Sequence, residues 1–149
     1  MKFFKRQHII LVAIIFLVLP SAFGKNPQSI HDLIVRAQSA SPGDQPALYV
    51  EIARREVQLA DENFRAEKYE EGRKAINDLV TYSDKAGDAA TKSGKHLKDT
   101  EIALRKMAAK LRDIKRIASL EDQRQVQEAT DHLEQVRTDL LSHMFKGKE

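Results

Sequence analysis

Between Ala47 and Ala66 the apolar residues Leu48, Tyr49, Ile52, Ala53, Val57, Leu59, Ala60 and Phe64 recur at steps of three and four, the spacing that gathers side chains on one face of a helix. Glu51, Arg54, Arg55, Asp61 and Glu62 fall on the remainder. After a turn through Ala66-Glu67-Lys68-Tyr69, the pattern resumes with Gly72, Ala75, Ile76, Leu79, Val80, Tyr82 and Ala86. Two amphipathic helices joined by so short a turn predict an antiparallel hairpin. A heptad phase then runs on through Ile76, Ser83, Ala90, Leu97, Leu104, Leu111 and Ala118, with Leu79, Ala86, Ser93, Thr100, Met107 and Ile114 three residues later. Unbroken phase predicts one helix from about Tyr69 to Ile117, roughly 70 Å long. Gly87 and Gly94 oppose it by only about 1 kcal/mol each; the alternative is a break at Gly94, which would give a four-helix bundle. The small residues from Ser83 to Gly94 make this the thinnest section, where another helix, the amino-terminal one first of all, can approach closely. Ser119 with Asp122 forms a capping signal. Val126, Ala129, Leu133, Val136, Leu140, Leu141 and Met144 then mark a returning helix.

No stretch alternates with the two-residue period of a strand, so the predicted class is all-α: two antiparallel helical hairpins sharing a long central helix, over residues 47–145. Upstream, Asn26-Pro27 reads as an N-cap with proline in the first helical position, opening a short helix through Ile30, Leu33, Ile34 and Ala37 to about Ser39. Ser41-Pro42-Gly43-Asp44-Gln45-Pro46 follows as a linker that lets this helix move, so residues 25–46 form a separate unit. Lys146-Gly147-Lys148-Glu149 has no apolar anchor and reads as a disordered tail.

Residues 1–24 have the build of an export signal. Lys2, Lys5 and Arg6 precede the apolar run Ile9–Leu19, and the segment ends in Pro20-Ser21-Ala22-Phe23-Gly24 with small residues at the positions a signal peptidase reads. Eleven apolar residues reach roughly 16 Å as a helix, too short for a stable span. Cleavage after Gly24 is expected, and with it a periplasmic or secreted protein with no membrane span. The chain has no cysteine, which leaves neither a thiol to acylate nor a disulfide to staple the fold.

The signal also changes the charge argument. The whole chain carries 25 Lys+Arg and 22 Asp+Glu, but residues 25–149 carry 22 of each. A neutral mature chain removes the case for nucleic acid as a partner. Charge is nonetheless segregated along it: residues 95–116 hold eight basic and three acidic residues, and residues 121–144 hold two and six. The expected use of this complementarity is to orient the last helix against the one before it.

Within the first hairpin, Leu59, Ala60, Asn63 and Tyr69, then Gly72, Ile76 and Leu79, resemble one tetratricopeptide unit over about one repeat length. Glu56 stands where that pattern has its first aromatic, and no second copy follows at the same period. With the run Leu48-Tyr49-Val50-Glu51-Ile52-Ala53-Arg54-Arg55 behind an export signal, the chain is also similar to uncharacterised exported helical proteins of bacteria. That resemblance implies a fold and no activity.

Candidate chemistry is sparse. His31, His96, His132 and His143 are spread along the chain, and only Glu128 and His132 share a helical face, with Asp131 beside them. A zinc or copper site needs three or four converging ligands, so no metal site is expected. Met107 and Met144 lie on apolar stripes and are assigned to the core rather than to haem or copper. There is no glycine-rich phosphate loop, metalloprotease helix motif or activated nucleophile. No enzyme, no cofactor and no catalytic residue is expected. The function this favours is an exported adaptor or scaffold that holds a protein partner, or a second copy of itself, in a groove of its hairpins. The alternative is a periplasmic stress or metal-binding helical bundle.

Overall fold

A computed structural model describes residues 28–146. The export signal and the Asn26-Pro27 cap lie outside the described residues, as do residues 147–149. Those described form five helices and no strand: α1 (Ile30–Ser39), α2 (Gln45–Arg65), α3 (Tyr69–Ser93), α4 (Leu97–Ile117) and α5 (Leu120–Lys146). None is long and apolar enough to cross a membrane.

Each boundary has a local cause. Helix α1 is capped by Ser29, whose hydroxyl accepts from the Asp32 amide at 3.1 Å while Asp32 accepts from the Ser29 amide at 3.2 Å. The cap is therefore three residues past the expected Asn26, because the reciprocal Ser29/Asp32 pair satisfies two end amides at once. Pro46 sits in the first turn of α2, where its missing N–H costs nothing. The Ser119 hydroxyl accepts from the Asp122 amide at 3.2 Å and donates to the Asp122 carboxylate at 2.6 Å, starting α5 at the expected capping pair.

The single helix expected across Gly94 does not form. Helix α3 ends at Ser93, Gly94 takes the left-handed conformation with φ 67°, and His96 does the same with φ 58° before α4 begins at Leu97. Two left-handed residues in three turn the chain back on itself. The heptad phase survives the turn because α3 and α4 bury their stripes in one core. That core joins Val57, Phe64, Ile76, Leu79, Leu104, Leu111, Val126 and Leu133 across α2, α3, α4 and α5. The two hairpins α2/α3 and α4/α5 thus lie side by side, α3 against α5 and α2 against α4, rather than end to end with two thin cores.

The thin section of α3 meets α5, not the amino-terminal helix. A Cβ on Gly87 would stand 2.6 Å from Val136 Cγ1, so only glycine allows these helices their close approach. Helix α1 packs elsewhere: Leu33 and Ala37 form a second apolar cluster with Ile52, flanked by Tyr49 and Tyr82. Its ends are tied by Gln45 Nε2 donating to the Ala37 carbonyl at 3.3 Å and by Arg55 donating to the Gln28 carbonyl, so the Ser41–Asp44 turn holds a docked helix.

Candidate functional site

The side-by-side hairpins create a groove along the α3–α5 seam, about 400 Å³ in volume. Ile76, Val80 and Ala129 give it an apolar floor, and Asn77, Thr81, Gln125, Glu128 and His132 line its polar sides. These positions follow from helical spacing: on α5, 125, 128/129 and 132 recur on one face, as do 76/77 and 80/81 on α3.

His132 meets Asp84 across the seam, Nε2 to Oδ1 at 2.7 Å, with both side chains nearly half exposed. Gln125 Nε2 donates to Asn77 Oδ1 at 2.9 Å and to the Arg73 carbonyl at 3.2 Å. The Thr81 hydroxyl donates to the Asn77 carbonyl of its own helix at 3.0 Å, so it offers no proton to the imidazole. Glu128 faces Arg124 at 3.8 Å and Asp131 accepts from Gln127. The arrangement can pair a polypeptide's amides and carbonyls with side-chain amides, a hydroxyl and an imidazole above an apolar floor.

The other histidines are not brought to this groove: His31 is on α1, His143 is toward the end of α5, and His96, at the start of α4, faces Asp99 at 3.5 Å. Among the described residues, no three His, Asp or Glu side chains are grouped so as to hold a metal ion. Met107 is buried in the core and Met144 is half-buried on α5.

A second groove, about 300 Å³, runs along the opposite seam between α2 and α4 and is lined by Val50, Arg54, His96, Asp99, Thr100 and Ile102. Among the described residues, two buried hydroxyls, Ser83 Oγ and Thr100 Oγ1, have no hydrogen-bond partner. The charged residues between helices are better matched. Arg73 donates to Asp122 at 2.6 Å, Lys110 to Asp61 at 2.7 Å and Arg137 to Glu101 at 2.5 Å. Burial opposes ionisation of Asp122, but hydrogen bonds from Ser119 and Arg73 outweigh it and hold the carboxyl below its ordinary range. For Asp61, burial is likewise outweighed by hydrogen bonds from Lys110 and Arg65.

The complementarity expected between α4 and α5 is realised only in part. Arg112 reaches Glu134 at 3.3 Å and Lys115 reaches Gln127 at 2.7 Å, but Lys110 turns to α2. Lys98, Arg105 and Lys106 have no ion-pair partner among the described residues.

Sequence reasoning missed two residues. Asp84, the partner of His132, stands 48 positions away and no local pattern links them. Glu56, noted only as a departure from the tetratricopeptide pattern, is a buried acid, 5% exposed, on the α2 face turned to α3; its signal was an acid inside an apolar stripe. No protein-family model, curated protein or solved structure matches the chain.

Proposed function

We propose that the protein is an exported, non-enzymatic helical adaptor or scaffold of the cell envelope, which holds a segment of another polypeptide in the α3–α5 groove. The observation that carries the reading is the groove's composition: an apolar floor of Ile76, Val80 and Ala129 beneath hydrogen-bonding sides, the combination that peptide recognition by a helical groove needs. Export rests on the build of residues 1–24. At the same end of the bundle as both hairpin turns, Tyr69, Ile117 and Leu120 leave apolar surface exposed, Leu120 to 89%. Exposed apolar residues grouped this way favour a protein partner over a small solute.

The test is affinity capture from a cell-envelope extract with the wild-type protein and with Thr81→Arg, which places a long cation in the groove from an exposed position. The expected result is a defined set of proteins retained by the wild type and lost with the variant. Capture that is equal for both, or no greater than background, removes the reading.

A further inference from the structure

The two long seams of the bundle carry opposite charge. Helices α2 and α4, which pack together on one side, hold ten Lys/Arg against seven Asp/Glu; α3 and α5, on the other, hold seven against eleven. On the basic side the outer face of α4 presents Lys98, Arg105 and Lys106, exposed and without ion-pair partners among the described residues. Ile102 and Ala109 lie between them on that face at helical spacing. On the acidic side Glu128 lines the α3–α5 groove, Asp84 meets His132 at its edge, and Asp88 follows one turn further along α3. Asp84 meets only an imidazole, Glu128 stands 3.8 Å from its nearest cation, and Asp88 has no partner among the described residues.

We propose that the α3–α5 groove of one copy seats the outer face of α4 of a second copy, so that the protein associates head to tail. The proposal rests on the reading of that groove as a polypeptide site and names its occupant. Charge complementarity selects a second copy: the cations unused within one bundle match in sign the carboxylates that border the groove of the next, and Ile102 and Ala109 can lie over the groove's apolar floor. Residues 25–149 carry 22 basic and 22 acidic residues, so no net repulsion opposes the approach. Because the two surfaces are different parts of the molecule, the contact is heterologous, and however many copies join, the assembly keeps one surface of each kind free at its ends. Association then runs to short chains and does not stop at a closed dimer.

Sedimentation velocity of the purified protein over a concentration series tests this. The expected result is association beyond the dimer at about 20 mM salt that weakens at least about tenfold at about 500 mM, where the Debye length has contracted to about 4 Å. The triple variant Lys98→Glu/Arg105→Glu/Lys106→Glu should be monomeric, and so should Asp84→Lys/Asp88→Lys/Glu128→Lys. An equimolar mixture of the two should associate again, because each then offers the surface the other lacks. Circular dichroism checks that both variants stay helical, and the mixture keeps the test decisive if one of them is weakened. A monomeric wild type at low salt overturns the proposal, as does association that neither salt nor either charge reversal disturbs. Either result leaves the Thr81→Arg capture experiment to judge the groove's wider reading on its own.

Discussion

Glu56→Gln isolates the effect of one buried carboxyl on stability. Glu56 is 5% exposed on the α2 face turned to α3 and has no hydrogen bond or ion pair among the described residues. Burial, and then the neighbouring Asp78 carboxylate, push its pKa from 4.5 up to about 7, against a smaller pull from Lys74. The folded protein therefore holds this proton more tightly than the unfolded chain. Its stabilising contribution is complete below about pH 4.5, declines as pH rises toward about 7 and is gone above that. At about 1.4 kcal/mol per pKa unit, the full swing is roughly 3 kcal/mol, of which the window from about pH 5 to about pH 8 captures most. Glutamine keeps the shape and cannot ionise. Urea unfolding followed by helix circular dichroism at about pH 5 and about pH 8 reads the difference. The wild type should lose about 2 kcal/mol more than Glu56→Gln between these conditions. Parallel profiles for the two proteins, or a glutamine variant that loses more at the higher pH, would refute the reasoning.

Two further substitutions probe the joints between hairpins. Gly87→Ala gains about 1 kcal/mol of helix propensity, but its Cβ would stand 2.6 Å from Val136 Cγ1; overpacking of about 1–3 kcal/mol should leave a net loss in thermal or urea unfolding. Gly87→Ala combined with Val136→Ala should recover part of it, since the obstructing methyl is then gone. Arg73→Ala removes the cation from Asp122, which is 3% exposed, and leaves its carboxylate only the hydrogen bond donated by the Ser119 hydroxyl. A loss of about 2–3 kcal/mol is expected, smaller if Asp122→Asn is added, because an uncompensated buried charge costs more than a buried amide.

The helices were legible because the information for them is local. Apolar residues at steps of three and four and the Ser119/Asp122 pair give their signals within a few residues. The Ser29/Asp32 box that caps α1 is equally local, a reciprocal pair three residues apart. The topology was not legible in the same way. A heptad phase says which face of α3 and of α4 is buried, and that face is the same whether the helix runs on or folds back. What decides between them is the backbone at Gly94 and His96, and a histidine at φ 58° is not foreseen by composition. The partners in the groove were hidden for a related reason: Asp84 and His132, or Asn77 and Gln125, become neighbours only once α5 lies beside α3.

The turn at Gly94 therefore governs any function the bundle can have. A continuous helix of roughly 70 Å would set the hairpins end to end, with α5 running along α4 alone and no α3–α5 seam. Folding back places the acidic α5 beside the acid-bearing side of α3, and the basic α4 beside α2 on the far side. Charge that looked like a device for pairing α4 with α5 is thereby spread over different sides of the bundle, and Lys98, Arg105 and Lys106 are left without ion-pair partners among the described residues. Exposed ion pairs add little stability to a fold, so the bundle loses almost nothing by leaving these cations unmatched, and it gains a surface that can meet the carboxylates of another copy. The same turn that closes the core makes the outside polar in the electrostatic sense.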